Sequence, residues 1–272
     1  MINIGIISGS GPLPFLIGKN LIKKNYNVIF FAFKELDKEK NLLNLNIIKI
    51  NINSIKEIIN KLKENKIDKI IMAGNITRPS LSDLSFDFET VRLAKKLFLE
   101  KKGDNLLLNT IEKYFEEKGF PIFDWTDNCK EIFSIEKNFT KNKPSNSALK
   151  NLEKGKEIFK IFGKTDIGQS VIIQNQLVLG LEAVEGTDTL IKRCFNYKKK
   201  GDKGILIKFN KYSQSALLDI PTIGLETIIL LNKYEYEGIF LEKDKCIILN
   251  KDEVKNYAEA NNIFISAVKK ID

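Results

Sequence analysis

The chain contains no histidine. That removes the usual neutral-pH general base, the commonest zinc ligand and every histidine-dependent catalytic triad. Acid–base chemistry must then rest on Asp, Glu, Lys, Tyr or Cys. A catalytic metal would most simply be held by carboxylates, which suits Mg²⁺ or Mn²⁺. Cysteine is scarce. Cys129, Cys194 and Cys246 are odd in number, far apart and form no C-x-x-C pair. A disulfide framework and a zinc site are both disfavoured, and a reducing, cytoplasmic setting fits best. Long apolar runs are missing too. A stretch such as Val28–Phe33 is far short of a membrane span. The N-terminal apolar stretch is broken by Gly9, Gly11, Pro12 and Pro14, and no basic region precedes it, so it does not read as an export signal.

Of the 272 residues, 43% are apolar and 29% charged, which excludes a disordered chain and allows one large domain or two ordinary ones. The net charge is +9. Lysine dominates and is spread along the chain, without the clustered Arg and aromatics of a nucleic-acid footprint. Compositional drift would explain the charge; so would attraction to phosphates or to an anionic membrane face.

Short apolar runs alternate with helical spacing in the first half, at Asn3–Ser8, Val28–Phe33, Ile47–Ile50 and Lys69–Met72. This pattern predicts βαβ units around a parallel sheet. The polar stretch 136–147 reads as a linker, dividing residues 1–135 from 148–272. The second part reads as another α/β domain of mixed strand direction, with a ligand cleft expected between the two.

Several segments carry candidate chemistry. Gly9-Ser10-Gly11 follows the first strand and precedes a helix, where glycine amides and a helix N-terminus favour an anion. A structural turn and an NAD(P) site, with Glu35 or Asp37 as ribose ligand, are the alternatives. Arg78 lies in the loop after the fourth strand, placed for a phosphate or for solvent. Asp104 reads as a helix cap. Asp166 and Gln169 precede a strand. Glu182, Glu185, Thr187 and Asp188 then crowd a strand end and helix start, with Arg193 following. Clustered carboxylates call for a shared cation, unless capping accounts for them. Lys208 and Lys211 come shortly before Asp219, which opens a turn through Pro221 and Thr222 to Gly224.

The segments GIISGSGPLP, GNITRPSL, GDNLLLNTIEKYFEEKGF, DIGQSVIIQNQLVLGLEAVEGTDTLIKR, GILIKF and DIPTIGLET together resemble the two-domain UDP-2,3-diacylglucosamine pyrophosphatases of lipid A synthesis. The resemblance runs nearly the whole chain. It implies a Rossmann-like N-terminal domain, a separate C-terminal α/β domain and lipid held between them. It also implies Mg²⁺-dependent hydrolysis of UDP-2,3-diacylglucosamine to lipid X and UMP, by water attack on the β-phosphorus. The acid of the family's D-x-P-T-I-G motif, essential for turnover, falls on Asp219. Ser215 and Leu217 stand where the family has an Asp and an Arg.

On this reading Asp219, Asp188 and Glu185 hold the ion, and Arg193, Lys208 and Lys211 neutralise charge on the phosphoryl group. Substrate contacts are expected from Gly9, Ser10, Gly11, Arg78, Asp166, Gln169, Thr187 and Thr222. The partner is a lipid-linked UDP-sugar, with peripheral contact at the inner membrane's cytoplasmic face and no nucleic acid. Oligomeric state is open, a homodimer included. The rival readings are an NAD(P)-dependent oxidoreductase and a non-catalytic carrier of lipid or nucleotide sugar.

Overall fold

The computed structural model describes residues 2–33, 45–75, 87–99, 104–134, 137–165, 167–211, 217 and 219–270. The chain divides into two compact units, Met1–Cys129 and Lys130–Asp272. Among the described residues, no helix is long and apolar enough to cross a membrane.

In the first unit the apolar runs form β1 (Asn3–Ser8), β2 (Asn27–Phe33), β3 (Ile47–Ile50) and β4 (Lys69–Ala73). All pair in parallel, in the order β3-β2-β1-β4. Residues 121–123 extend the sheet beyond β4, bonding to the N–H and C=O of Ile70. The helices are α1 (Leu13–Lys23), α2 (Ile55–Glu64), α3 (Phe88–Leu99) and α4 (Asp104–Glu117). Central strands of a parallel sheet are covered on both faces, which is why β1 and β2 are nearly continuous apolar runs. Helix α2 starts at Ser54, whose hydroxyl accepts from Glu57 N–H, and its apolar positions Ile58, Ile59 and Leu62 are buried. The tryptophan, Trp125, is 2% exposed in this unit.

The glycine turn after β1 is held by the loop that follows β4. Gly9 N–H donates to Ala73 O at 2.9 Å, Ser10 N–H to Asn75 O at 2.8 Å, and Asn75 N–H returns to Ser10 O at 2.8 Å. A Cβ on Gly9 would lie 2.4 Å from Asn75 O, so a side chain there would force the two loops apart.

The second unit contains α5 (Asn146–Phe162), β5 (Ser170–Gln174), β6 (Leu177–Leu181), α6 (Thr187–Phe195), β7 (Ile205–Lys208), β8 (Thr222–Ile223), α7 (Leu225–Lys233), β9 (Gly238–Glu242), β10 (Ile247–Ile248), α8 (Lys251–Ala260) and β11 (Phe264–Val268). Five strands form one sheet in the order β11-β9-β7-β5-β6. β11, β9 and β7 run parallel, while β5 is antiparallel to both β7 and β6. β8 and β10 make a separate parallel pair. Alternate residues fill two cores. Ile172, Leu206 and Ile239 pack with α6, α7 and α8, whereas Val171, Ile173 and Ile207 pack with α5. The fold is thus α/β, with a parallel first sheet and a mixed second one.

The segment 136–147, expected to be a linker, differs from that expectation over its described residues. Phe139 N–H donates to Ile265 O at 2.9 Å, Ala267 N–H to Lys137 O at 3.1 Å, and Ile265 N–H to Thr140 Oγ1 at 3.0 Å. Ser145 caps α5. The backbone of this segment, joined by the Thr140 hydroxyl, bonds to β11 and covers its outer edge.

Candidate active site

The second sheet brings several strand ends to one edge. Ser170 at the start of β5 is opposite Lys208 at the end of β7, and Val171 is opposite Leu181 at the end of β6. Ligands of α/β sheets gather at strand C-terminal ends. Helix α6 begins at the same edge, after Gly186 at φ 78°.

A chain of hydrogen bonds runs along this edge. Lys208 Nζ donates to Thr187 Oγ1 at 2.7 Å and lies 3.4 Å from Ser170 Oγ. Thr187 in turn donates to Glu182 Oε1 at 2.9 Å. Lys208 and Glu182 approach to 3.8 Å, with side chains 6% and 12% exposed. Each compensates the other's burial. Glu182 Oε2 accepts from Gln169 N–H at 3.3 Å. Gln169 Nε2 then lies 2.9 Å from the backbone O of Asp219 and 3.2 Å from its Oδ2. A Cβ at Gly168 would stand 2.1 Å from Glu182 O, so the strand-entry loop reaches Glu182 only because that residue is glycine. Lys208, Thr187, Glu182, Gln169 and Asp219 therefore form one connected set.

The other predicted residues are distributed differently. Glu185 is held by Arg193 Nη2 at 2.7 Å and by Ala183 N–H at 3.1 Å. Chiefly through that guanidinium, its carboxyl sits below the usual carboxylate range. Arg193 also donates to Leu181 O at 2.9 Å. Asp188 Oδ1 accepts from Thr227 Oγ1 at 3.1 Å. Asp219, Asp188 and Glu185 thus each have a separate partner, and no group of three His, Cys, Asp or Glu suited to a metal occurs among the described residues. Lys211 is buried just beyond β7. Thr222 donates to Ile220 O at 2.9 Å, bracing the turn into β8.

Gly9, Ser10 and Gly11 belong to the first unit, and the amides of the first two donate to Ala73 O and Asn75 O at the end of β4. That arrangement removes two of the donors on which an anion-binding or dinucleotide reading of the turn depends. Arg78, Asp166, Ser215, Glu35 and Asp37 lie outside the described residues. Ser170, Gly168 and Thr227 join the site without having been expected there. Only the antiparallel register of β5 on β7 puts Ser170 beside Lys208, and no local sequence signal announces that register.

Residues 3–132 match the LpxI N-terminal domain, and residues 136–266 match the LpxI C-terminal domain. A curated relative, the UDP-2,3-diacylglucosamine pyrophosphatase LpxI of Caulobacter vibrioides, is 26% identical over 280 residues, covering 98% of each chain. Among solved structures, Acinetobacter baumannii MurG aligns at 11% identity and a TM-score of 0.28, over 100% of this chain and 69% of that one, too weakly to bear on the fold. With both domains matched in order over nearly its whole length, the chain belongs to the LpxI family.

Proposed function

We propose that this chain hydrolyses the pyrophosphate bond of UDP-2,3-diacylglucosamine, giving 2,3-diacylglucosamine 1-phosphate (lipid X) and UMP. Similarity to the Caulobacter vibrioides pyrophosphatase along both domains supports the substrate. The observation that carries the chemistry is Asp219, held by Gln169 at the sheet edge where Lys208, Thr187 and the α6 N-terminus also lie.

Asp219 orients the attacking water. The water oxygen bonds to the β-phosphorus and gives up a proton to solvent, the bond from the β-phosphorus to the bridging oxygen breaks, and that electron pair leaves on UMP. The first turn of α6 presents the positive end of its dipole to the phosphate, and the Lys208 charge behind Thr187 adds to that potential. Asp219 and Asp188, together with substrate phosphate oxygens, would hold a Mg²⁺ or Mn²⁺ ion that screens the pyrophosphate charge. Glu185 does not fit that set, because Arg193 and a backbone amide engage its two oxygens. A lipid-linked substrate calls for work at a membrane surface, on this reading the cytoplasmic face of the inner membrane.

Incubation with UDP-2,3-diacylglucosamine should release UMP. EDTA should stop the reaction and Mg²⁺ or Mn²⁺ restore it; full activity after exhaustive chelation sinks the ion. In ¹⁸O-water the label should enter the sugar 1-phosphate, whereas label in UMP would mean attack at the α-phosphorus. Asp219→Ala should lower turnover by about 10³-fold, roughly 4 kcal/mol of transition-state stabilisation. A folded variant keeping a third of the wild-type rate refutes that assignment.

A further inference from the structure

The Asp219 carboxylate is held from behind by a side chain that is itself fixed by the sheet. Gln169 is 7% exposed. Its backbone is tied on both sides: its N–H donates to Glu182 Oε2 at 3.3 Å, and its C=O accepts from Phe209 N–H at 2.9 Å. With the main chain anchored, the amide lies close to two oxygens of one residue, the backbone O and Oδ2 of Asp219. A single nitrogen placed between a residue's carbonyl and its own carboxylate constrains both the backbone and the side-chain torsion.

We infer that Gln169 is a positioning residue for Asp219 and not a substrate ligand, and that Glu182 in turn sets the position of Gln169. This rests on the assignment of Asp219 to the reaction. The chemistry calls for an amide at this place. A carboxylate at position 169 would repel Asp219, and an apolar side chain would leave Oδ2 without this donor. A shorter amide would not span the gap from the same anchored backbone. Glu182 contributes through the Gln169 N–H, and Thr187 and Lys208 fix the other oxygen and the charge of Glu182. Misplacing a catalytic group by about 1 Å can cost about 100-fold in rate with little effect on binding.

Gln169→Met keeps the side-chain length and removes both donor hydrogens. Its kcat should fall about 10- to 100-fold while KM stays within about threefold. Circular dichroism and thermal unfolding check that the fold is retained. If Gln169→Met does not fold, Gln169→Ala serves instead, with the same split expected. In an Asp219→Ala background, adding Gln169→Met should change the residual rate less than about twofold, because the group it positions is gone. A raised KM at unchanged kcat would mean that Gln169 touches substrate, and would overturn the inference. So would wild-type constants in the folded variant, or a full additional loss in the Asp219→Ala background. An Asp219→Ala protein with near wild-type turnover would instead overturn the role of Asp219 itself, so the two failures are distinguishable.

Discussion

Lys208 carries a positive charge into a site where its side chain is 6% exposed, and Glu182 supplies the opposite charge 3.8 Å away. Removing one partner of such a pair strands the other. Lys208→Met should therefore destabilise the protein by about 3–5 kcal/mol. The double variant Lys208→Met, Glu182→Gln should recover much of that loss, since no lone charge stays buried. Equal destabilisation of the single and double variants in urea unfolding would show that the pair does not act as a unit. Glu185 and Arg193 form a weaker pair, because the arginine is 40% exposed and water screens the contact. The folded-state carboxyl of Glu185 lies below its ordinary value of 4.5. Its contribution is complete above that value and is lost as pH falls through the lowered one. Glu185→Gln should cost less than about 1 kcal/mol near neutral pH, with the difference vanishing in acid. All three thiols are buried, and burial pushes Cys246 up to about 12. Native protein should not react with a thiol reagent near pH 8, and unfolded protein should expose three thiols; fast labelling of the native chain would contradict the burial.

The segment 137–140 lies on β11 and brings Phe139 into the core with Ile265, Ile248 and Val254. Phe139→Ala should cost about 3 kcal/mol, read as a lowered unfolding midpoint; a surface-like cost of a few tenths would mean that the segment only rests on the sheet. This element also shows where sequence reading stops. Most strands of both units are legible as β-rich apolar runs, and α2 announces itself by a serine cap and periodic spacing. The covering segment lacks both signals, because its bonds go to a strand more than a hundred residues away. β8 is two residues long, too short to show a period, and among the described residues it pairs with β10. The site follows the same division. Lys208 at a strand end, Thr187 at a helix start and Asp219 in the turn before β8 are legible by residue type and position. Their partners depend on which strand lies beside which, and the engagement of Glu185 by Arg193 and the Ala183 amide follows from that packing and from no motif.

The molecule carries a net charge of +9 without any histidine, so its charge changes little between about pH 6 and pH 8. An anionic substrate should meet the same attractive field across that range, and that field should be screened by salt. KM should rise as ionic strength goes from about 0.05 to about 0.5 M, with kcat nearly constant. A KM indifferent to salt would show that long-range attraction plays no part in capture.

Because Trp125 is the one tryptophan and sits in the first unit, its fluorescence monitors that unit and is silent for the second. Far-ultraviolet dichroism sees helices in both. Coincident denaturation curves from the two signals would mean that the units melt as one cooperative body, and separated curves that each has its own stability. A single indole thus makes the coupling between the two units measurable without any added label.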